Sequence, residues 1–280
     1  MKVAITGSHG LIGSALFDSL VSGGHDVVRV PRSGPLDLAG VDAVVNLAGE
    51  PIGAKRWNED QKRRIVDSRV AMTERVVEAV LGAGVPVLLN GSAVGFYGDR
   101  GDEVCTEESP AGTGFLPEVV RAWEGAAQPA VEADGVRVAF LRTGIVQSAS
   151  GGALRKQLPL FKLGLGGRMG SGRQWQSWIS IDDEVRAIEH LLTADVHGPV
   201  NLVAPSPVRQ RDFATTLGRV LGRPTIVPTP SIGPRLLLGK ELADTLLNES
   251  QRVLPTVLPA SGFEFRHPTL ETALRALLGK

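Results

Sequence analysis

The stretch Thr6-Gly7-Ser8-His9-Gly10-Leu11-Ile12-Gly13 decides the fold of this 280-residue chain. Ahead of it, Lys2–Thr6 is a short apolar run. Behind it, Leu11–Val21 carries apolar residues at Leu11, Ile12, Ala15, Leu16 and Leu20, the spacing of one helix face. Strand, tight turn and helix follow one another in that order. The three glycines recur at three-residue intervals, and each suits a different demand. Gly7 makes the tight turn, Gly10 lets backbone approach a pyrophosphate, and Gly13 lets the helix pack closely on the sheet. The helix N-terminus then offers free N–H groups and a partial positive charge to phosphates. Gly7, Ser8, His9, Gly10, Leu11, Ile12 and Gly13 are therefore the expected cofactor loop. The competing reading is a glycine-rich turn without a ligand.

Outward from this loop the pattern repeats. Apolar segments stand at Val27–Val30, Val41–Leu47, Val85–Leu89 and Val136–Leu141, with helical stretches near Glu59–Leu81 and Phe115–Ala133. Strands alternating with helices predict an α/β fold: a Rossmann-type, doubly wound parallel sheet covered on both faces. Beyond Arg142 the alternation is lost. Glycine-rich loops at Gly151–Gly152 and Gly164–Gly172, a short segment Trp178–Ile181 and a proline-rich stretch Pro224–Pro234 follow. The expected organisation is a cofactor-binding core over residues 1–150, with some segments near 175–203 returning to it. A smaller substrate-side region over 151–232 and a small helical C-terminal domain over 233–280 complete it. No internal repeat stands out.

Composition narrows the partners. Thirty Lys plus Arg balance thirty Asp plus Glu, without a long block of one sign. Neither nucleic acid nor an anionic membrane is called for, and a small molecule is the expected partner of a monomer or homodimer. The start MKVAITGSHGLIG is apolar but broken by Ser8 and His9 between glycines, unlike a secretion signal. No run approaches the roughly 18 apolar residues of a membrane span. Cys105, the single cysteine, cannot form an internal disulfide and gives no sign of an oxidising compartment, so a cytoplasmic location is expected. The five histidines show no metal-ligand spacing, and a catalytic metal is not expected. His9 reads as solvent-facing near the phosphates.

The end of the second apolar segment bears on cofactor choice. Folds that prefer NAD place an acidic residue there for the ribose 2′-hydroxyl, but Val28-Arg29-Val30-Pro31-Arg32-Ser33 has none. Arg32 stands in its place. A guanidinium pairs with the 2′-phosphate of NADP, which an acid would repel, so NADP(H) is expected over NAD(H). The alternative is a solvated surface arginine.

The spaced glycines, Asn46-Leu47-Ala48-Gly49, and Gly91-Ser92-Ala93 ahead of Tyr97-Gly98 resemble the short-chain dehydrogenase/reductase superfamily in its extended, nucleotide-sugar epimerase-like form. The match sharpens at Glu50-Pro51-Ile52, Ser68-Arg69-Val70, Ser92-Ala93-Val94-Gly95-Phe96-Tyr97-Gly98-Asp99, Ala122-Trp123-Glu124, Arg142-Thr143-Gly144 and Gly172-Arg173-Gln174-Trp175-Gln176-Ser177-Trp178-Ile179. These segments are similar to the YfcH-like epimerase family, over essentially the whole chain. Arg252-Val253-Leu254-Pro255 and Gly262-Phe263-Glu264-Phe265 resemble that family's small C-terminal domain. The resemblance implies NADP binding, an epimerase-type activity on an unspecified substrate, and cofactor contacts from Leu47, Ala48, Gly49 and Arg142.

One departure outweighs the matches. Extended members carry Tyr-x-x-x-Lys on the helix after the strand that bears the serine, with the lysine lowering the tyrosine's pKa. Tyr97 is the only tyrosine here, Gly101 lies four residues on, and Phe115–Ala133 contains no lysine. Leu116 and Val120 fall at the Tyr and Lys positions if Glu124 matches the Glu that often follows the motif. Ordinary Tyr-Lys catalysis is excluded by inventory, as it is in the YfcH-like family.

Substitutes for that pair are Ser92, Tyr97 and Glu124. Ser92 comes just after Val85–Leu89, at the C-terminal edge where doubly wound sheets place ligands, and resembles the superfamily serine that binds the reacting oxygen. Alone it is a poor proton acceptor and needs Tyr97, Glu124 or a ligand hydroxyl; the other reading is a turn serine. Tyr97 offers a phenol of pKa about 10 as general acid. Arg69, one turn before Thr73, is a candidate for a positive charge near the nicotinamide ribose, or else a surface arginine paired with Asp67, Glu74 or a solvent ion. Trp123 reads as a core residue and Glu124 as a cleft-facing or rim carboxylate. The Gly164–Trp178 loop suits a mobile clamp for an anion, with Arg173 the substrate-side candidate and Arg168 the weaker one. Asp182 and Asp183 read as caps of the next helix.

Two function classes follow. The first is an NADP(H)-dependent epimerase or oxidoreductase acting on a sugar-like or phosphorylated small molecule. The second is a non-catalytic NADP(H)-binding regulator or redox sensor, favoured by the missing pair. Fold alone does not decide between them.

Overall fold

The computed structural model describes residues 1–53, 55–226 and 239–280. Six parallel strands form the central sheet in the order β2-β1-β3-β4-β6-β10. They are β1 (Lys2–Thr6), β2 (Asp26–Arg29), β3 (Ala43–Asn46), β4 (Val87–Ala93), β6 (Arg137–Thr143) and β10 (Gly198–Leu202). Alternation along each strand sorts side chains to two faces. Val3, Ile5, Ala43, Val45, Leu89, Ala139 and Leu141 join the core under α1 (Leu11–Ser22) and α6 (Ile181–Thr193). Ala4, Val44, Leu88, Val138 and Phe140 join the core under α2 (Glu59–Ala83) and α4 (Gln128–Val131). Burial on both faces is why these strands read as continuous apolar runs.

The chain runs from β1 outward to β2 and then back past β1 to β3, so strand order reverses between β1 and β3. A crevice opens there, at the carboxyl ends of both strands. Helix α2 is framed by local chemistry: the Asn58 side chain accepts from the Gln61 amide at 2.8 Å, and Gly84 ends the helix in the left-handed region. The single helix expected over Phe115–Ala133 is instead two, α3 (Phe115–Gly125) and α4, because Gly125 closes the first and Pro129 opens the second. Trp123 of α3 lies on β4 at Gly91, where a Cβ would stand 2.6 Å from the indole.

Past Arg142 the chain is more regular than its composition suggests. It forms β7 (Ile145–Gln147), α5 (Gly152–Lys162), β8 (Trp175–Gln176), β9 (Trp178–Ser180), α6, β10, β11 (Val208–Arg209) and α7 (Gln210–Leu221). α6 is capped by Ser180, whose hydroxyl accepts from the Asp183 amide at 3.1 Å. Asp183 is therefore not the cap: its buried carboxylate accepts from the amides of Arg266 and His267, fastening the C-terminal segment. The C-terminal part continues with helices Lys240–Asn248, Val257–Ala260 and Leu270–Leu278, and β12 (Arg252–Val253) pairs with β5 (Val104–Cys105), whose Cys105 is fully buried. The boundary expected at 232/233, the start of the helical tail and most of the proline-rich stretch lie outside the described residues.

Candidate functional site

The crevice is a cleft of about 800 Å³ whose lining includes Gly7, Ser8, His9 and Gly10. Gly7 sits at φ +64°, and a Cβ there would stand 2.6 Å from the Leu47 carbonyl oxygen. A Cβ on Gly13 would fall on the Gly7 carbonyl, so the helix reaches this close to the loop only with glycine. Gly10 precedes α1 with no side chain to cap it, leaving the opening N–H groups of Leu11, Ile12 and Gly13 without intrahelical acceptors. Those three residues do not line the cleft with their side chains: Ile12 packs in the core, and Leu11 lies against Gly151 and Gly152. Such a cradle of glycine and free amides fits a pyrophosphate.

Leu47, Ala48 and Gly49 line one wall with Glu50 and Pro51. At the other end Arg32 is 83% exposed and meets Glu50 at 3.9 Å. One face of α2 completes the cleft through Arg64, Asp67, Ser68, Ala71, Met72 and Arg75. Arg75 donates to the carbonyls of Arg32 (2.9 Å) and Gly34 (2.6 Å), so it fastens the loop that carries Arg32. Sequence reasoning missed this face. Its signal was present, since 64, 67, 68, 71, 72 and 75 recur at helical spacing.

Arg69, one residue from that face, turns inward and is 8% exposed. It pairs with neither Asp67 nor Glu74; Nη1 donates to the carbonyls of Glu50 and Ile65, both at 3.0 Å. Its guanidinium lies 5.0 Å from the Trp123 ring. Burial lowers its pKa to about 10, with Glu50 pulling the other way. Trp123 is the core residue its type suggested, its indole donating to Thr73 at 3.1 Å.

Ser92 and Glu124 are brought together. Ser92 lies within β4 rather than after it, 5% exposed, and its hydroxyl donates to Glu124 Oε1 at 2.6 Å. Arg142 grips the same carboxylate with Nε and Nη2, both at 2.9 Å. Arg142 does not line the cleft as the family resemblance implied, because that grip and a stack on Phe96 at 3.5 Å hold it in the interior.

Tyr97, expected as a proton donor, has its hydroxyl engaged within the protein. Its side chain is fully buried. Its hydroxyl accepts from Arg142 Nη1 at 3.1 Å and donates its only proton to Asn201 Oδ1 at 2.7 Å. Burial pushes the phenol above its ordinary value, against the opposing pull of Arg142. None of Ser92, Tyr97, Glu124 and Arg173 is on the lining of the glycine-loop cleft.

Arg173 and Arg168 are exposed on the glycine-rich loop. That loop is fastened: Trp175 donates to Asp102 at 2.9 Å, and the Arg209 and Arg252 guanidinium groups lie 4.5 and 4.6 Å from its ring. Among the described residues no group of His, Cys, Asp and Glu is arranged to hold a metal, and no helix is long and apolar enough to cross a membrane.

Residues 3–203 match the family model described as the NAD dependent epimerase/dehydratase family, and residues 229–277 match a domain of unknown function. An epimerase family protein of Mycobacterium bovis is 46% identical over 290 residues, covering 97% of this chain and 96% of that one. The human epimerase family protein SDR39U1 is 37% identical, covering 99% and 100%. A crystal structure of that human protein (isoform 2) with NADPH superposes with a TM-score of 0.93 at 34% identity, covering 100% of this chain and 99% of that one. The match spans the sheet, the glycine loop and the C-terminal part alike, and the chain belongs to the NAD dependent epimerase/dehydratase family.

Proposed function

We propose that the protein is an NADP(H)-dependent epimerase or oxidoreductase of the extended type, acting on a sugar-like or phosphorylated small molecule without a Tyr-Lys pair. The cofactor half is carried by one observation: the glycine-loop cleft ends at Arg32, with Arg75 behind it, where an acid would select NAD. The NADPH in the human relative's crystal structure supports the same reading. In this reading residues 1–150, with segments near 175–203 returning to them, serve the cofactor, the rest of 151–232 is the substrate side, and 233–280 are a small C-terminal domain.

A bound NADP(H) supplies or accepts hydride at its nicotinamide. Gly7 and Gly10, with the amides opening α1, receive the phosphates, and Arg32 receives the 2′-phosphate. Ser92 orients the reacting oxygen of the substrate, and Glu124, one hydrogen bond behind it, takes or returns the proton through the serine hydroxyl. Arg142 is a positioning residue that fixes the carboxylate, and Arg173 holds the distal anion of the substrate.

Calorimetric titration of the protein with NADPH and NADH tests the cofactor half. Arg32→Ala is expected to weaken NADPH about tenfold or more while leaving NADH nearly unchanged; equal losses would remove the argument. A second reading, a redox-responsive regulator without turnover, is favoured by the way Ser92, Glu124, Arg142 and Tyr97 satisfy one another. Redox turnover of bound cofactor on adding candidate sugars would sink that second reading.

A further inference from the structure

The most exposed large apolar side chains among the described residues gather at one place. They are Ile226 (87% exposed), Leu163 (73%) and Leu165 (56%), with Leu160 (44%) beside them. Scattered exposed leucines are ordinary, whereas a contiguous group marks a surface that meets something. The end of α5 makes the group. Gly164, in the left-handed region at φ +72°, turns the chain back. Its amide donates to the Phe161 carbonyl at 3.0 Å, and the Leu165 amide donates to the Leu160 carbonyl at 2.9 Å. This helix stop sets the residue after the glycine beside the side chain one turn earlier, so Leu160 and Leu165 are neighbours, yet both stay open to solvent. Pro224 lies against Gly164, where a Cβ would meet its ring at 3.6 Å, so the run 223–226 passes the same turn and ends in Ile226.

Cations surround these side chains. Lys156 stands four residues before Leu160 and shares its helix face. Lys162 adjoins Leu163 in the chain, and Arg223 adjoins Pro224. None of the three enters an ion pair among the described residues. The even charge of the whole chain hides a local excess: between Asp134 and Asp182 stand seven Lys or Arg and no Asp or Glu. The acids on the adjacent helices are already taken, Asp212 by Arg211 and Glu271 by Arg219 and Arg275.

We propose that this end of α5 docks on an anionic lipid bilayer. The apolar side chains enter the headgroup region, and Lys156, Lys162 and Arg223 meet its negative charge. Charge complementarity selects this occupant, and so does the kind of apolar group. Protein interfaces draw their binding energy mainly from Trp, Tyr and Arg anchors, with leucine under-represented, and Phe161, the aromatic at this turn, is buried. The contact is peripheral, since no helix of the described residues is long and apolar enough to cross a membrane. It does not rest on the cofactor reading. It would place the loop that carries Arg168 and Arg173, which leads on from Leu165, on the lipid side of the molecule.

Sedimentation of the full chain with phosphatidylcholine vesicles containing about one-third phosphatidylserine, and with pure phosphatidylcholine vesicles, tests the contact. The parent protein is expected to bind the anionic vesicles about tenfold or more tighter than the neutral ones, and to release them as salt is raised. Two variants divide the surface. Leu163→Ser with Leu165→Ser removes the inserting tips, and Lys156→Gln, Lys162→Gln and Arg223→Gln together remove the charge. Each is expected to weaken binding to the anionic vesicles about tenfold or more. All five positions are exposed, and the charge variant serves if the leucine variant does not fold. A parent protein that does not bind the anionic vesicles overturns the proposal, as does equal binding to both vesicles or parent-like binding by either variant. Analytical ultracentrifugation judges the rival occupant: a parent dimer that the leucine variant splits into monomers assigns the surface to a second copy and overturns the lipid reading.

Discussion

Carried inside on the first turn of α6, the Glu184 carboxyl keeps one partner, the Thr143 hydroxyl at 2.8 Å, and its second oxygen has none among the described residues. Burial raises its pKa from 4.5 to about 8, with the Thr143 hydrogen bond acting in the opposite direction. Between those two values the folded protein holds a proton that the unfolded chain has released. Stability is therefore full below the lower value and falls as pH rises toward the upper one, by at most about 1.4 kcal/mol per pH unit. Glu184→Gln removes this titration while keeping the side chain's shape. Scanning calorimetry from pH 5 to pH 8 is expected to show a shallower fall in Tm for the variant, and parallel curves would refute the assignment. Nothing in the sequence flags this residue. A glutamate after two aspartates at a helix start reads as solvated, and only the packing of α6 against the sheet sends it inward. Arg69 and Tyr97 teach the same point, since an arginine and a tyrosine carry no mark of which polar atoms will be spent on the protein itself.

At the scale of elements the sequence is far more legible. The parallel sheet, the glycine loop and the two helices flanking it follow from apolar runs and glycine spacing, because burial on both faces forces the runs and a tight turn forces the glycines. Boundaries moved by a few residues: β4 extends to Ala93, which places Ser92 inside a strand. The cleft-lining residues of α2 recur at helical period, and the same helix carries a second, buried apolar face that packs in the core. How α1 meets the sheet gives a paired test. Gly13→Ala puts a methyl on the Gly7 carbonyl, whereas Gly82→Ala in α2 meets nothing within 4 Å. The first is expected to lose about 1–3 kcal/mol and to weaken NADPH binding. The second is expected to gain up to about 1 kcal/mol, the ordinary preference of a helix for alanine. Urea unfolding of both variants checks the contrast, and equal shifts would mean that the close approach of helix and loop is not a constraint.

Across the whole molecule, one run of buried and part-buried hydrogen bonds links the C-terminal part to Ser92. Thr256 donates to Glu107 through its hydroxyl and its amide, and Val257 donates through its amide. Glu107 accepts from the Asn201 amide at 3.1 Å, and Asn201 meets Tyr97, which meets Arg142, Glu124 and so Ser92. Tyr97 and Asn201 are 104 residues apart in the chain, which is why no local pattern pairs them. Asn201→Leu leaves the Tyr97 hydroxyl proton without its acceptor and the Leu254 carbonyl without its side-chain donor, and is expected to cost about 2–3 kcal/mol. With Tyr97→Phe in the same chain, the combined loss is expected to fall short of the sum by about 0.5 kcal/mol or more, as for any pair in direct contact. Additive losses in urea unfolding would show that the two side chains are not coupled.

The β5–β12 pairing has a practical consequence. Cys105 lies on β5 under that pairing, its thiol enclosed and pushed up in pKa by burial, and no second thiol competes with it. An alkylating reagent is expected to meet this sulfur in molecules that open around it, and β12, whose Val253 packs in the same cluster as Cys105, is the strand expected to lift. The rate of labelling counts those departures one by one. Asn201→Leu is expected to quicken it, and a rate equal to the parent's would mean that the two ends of the wiring open separately. The protein thus carries its own clock for the detachment of its C-terminal piece, readable by mass without any added probe group.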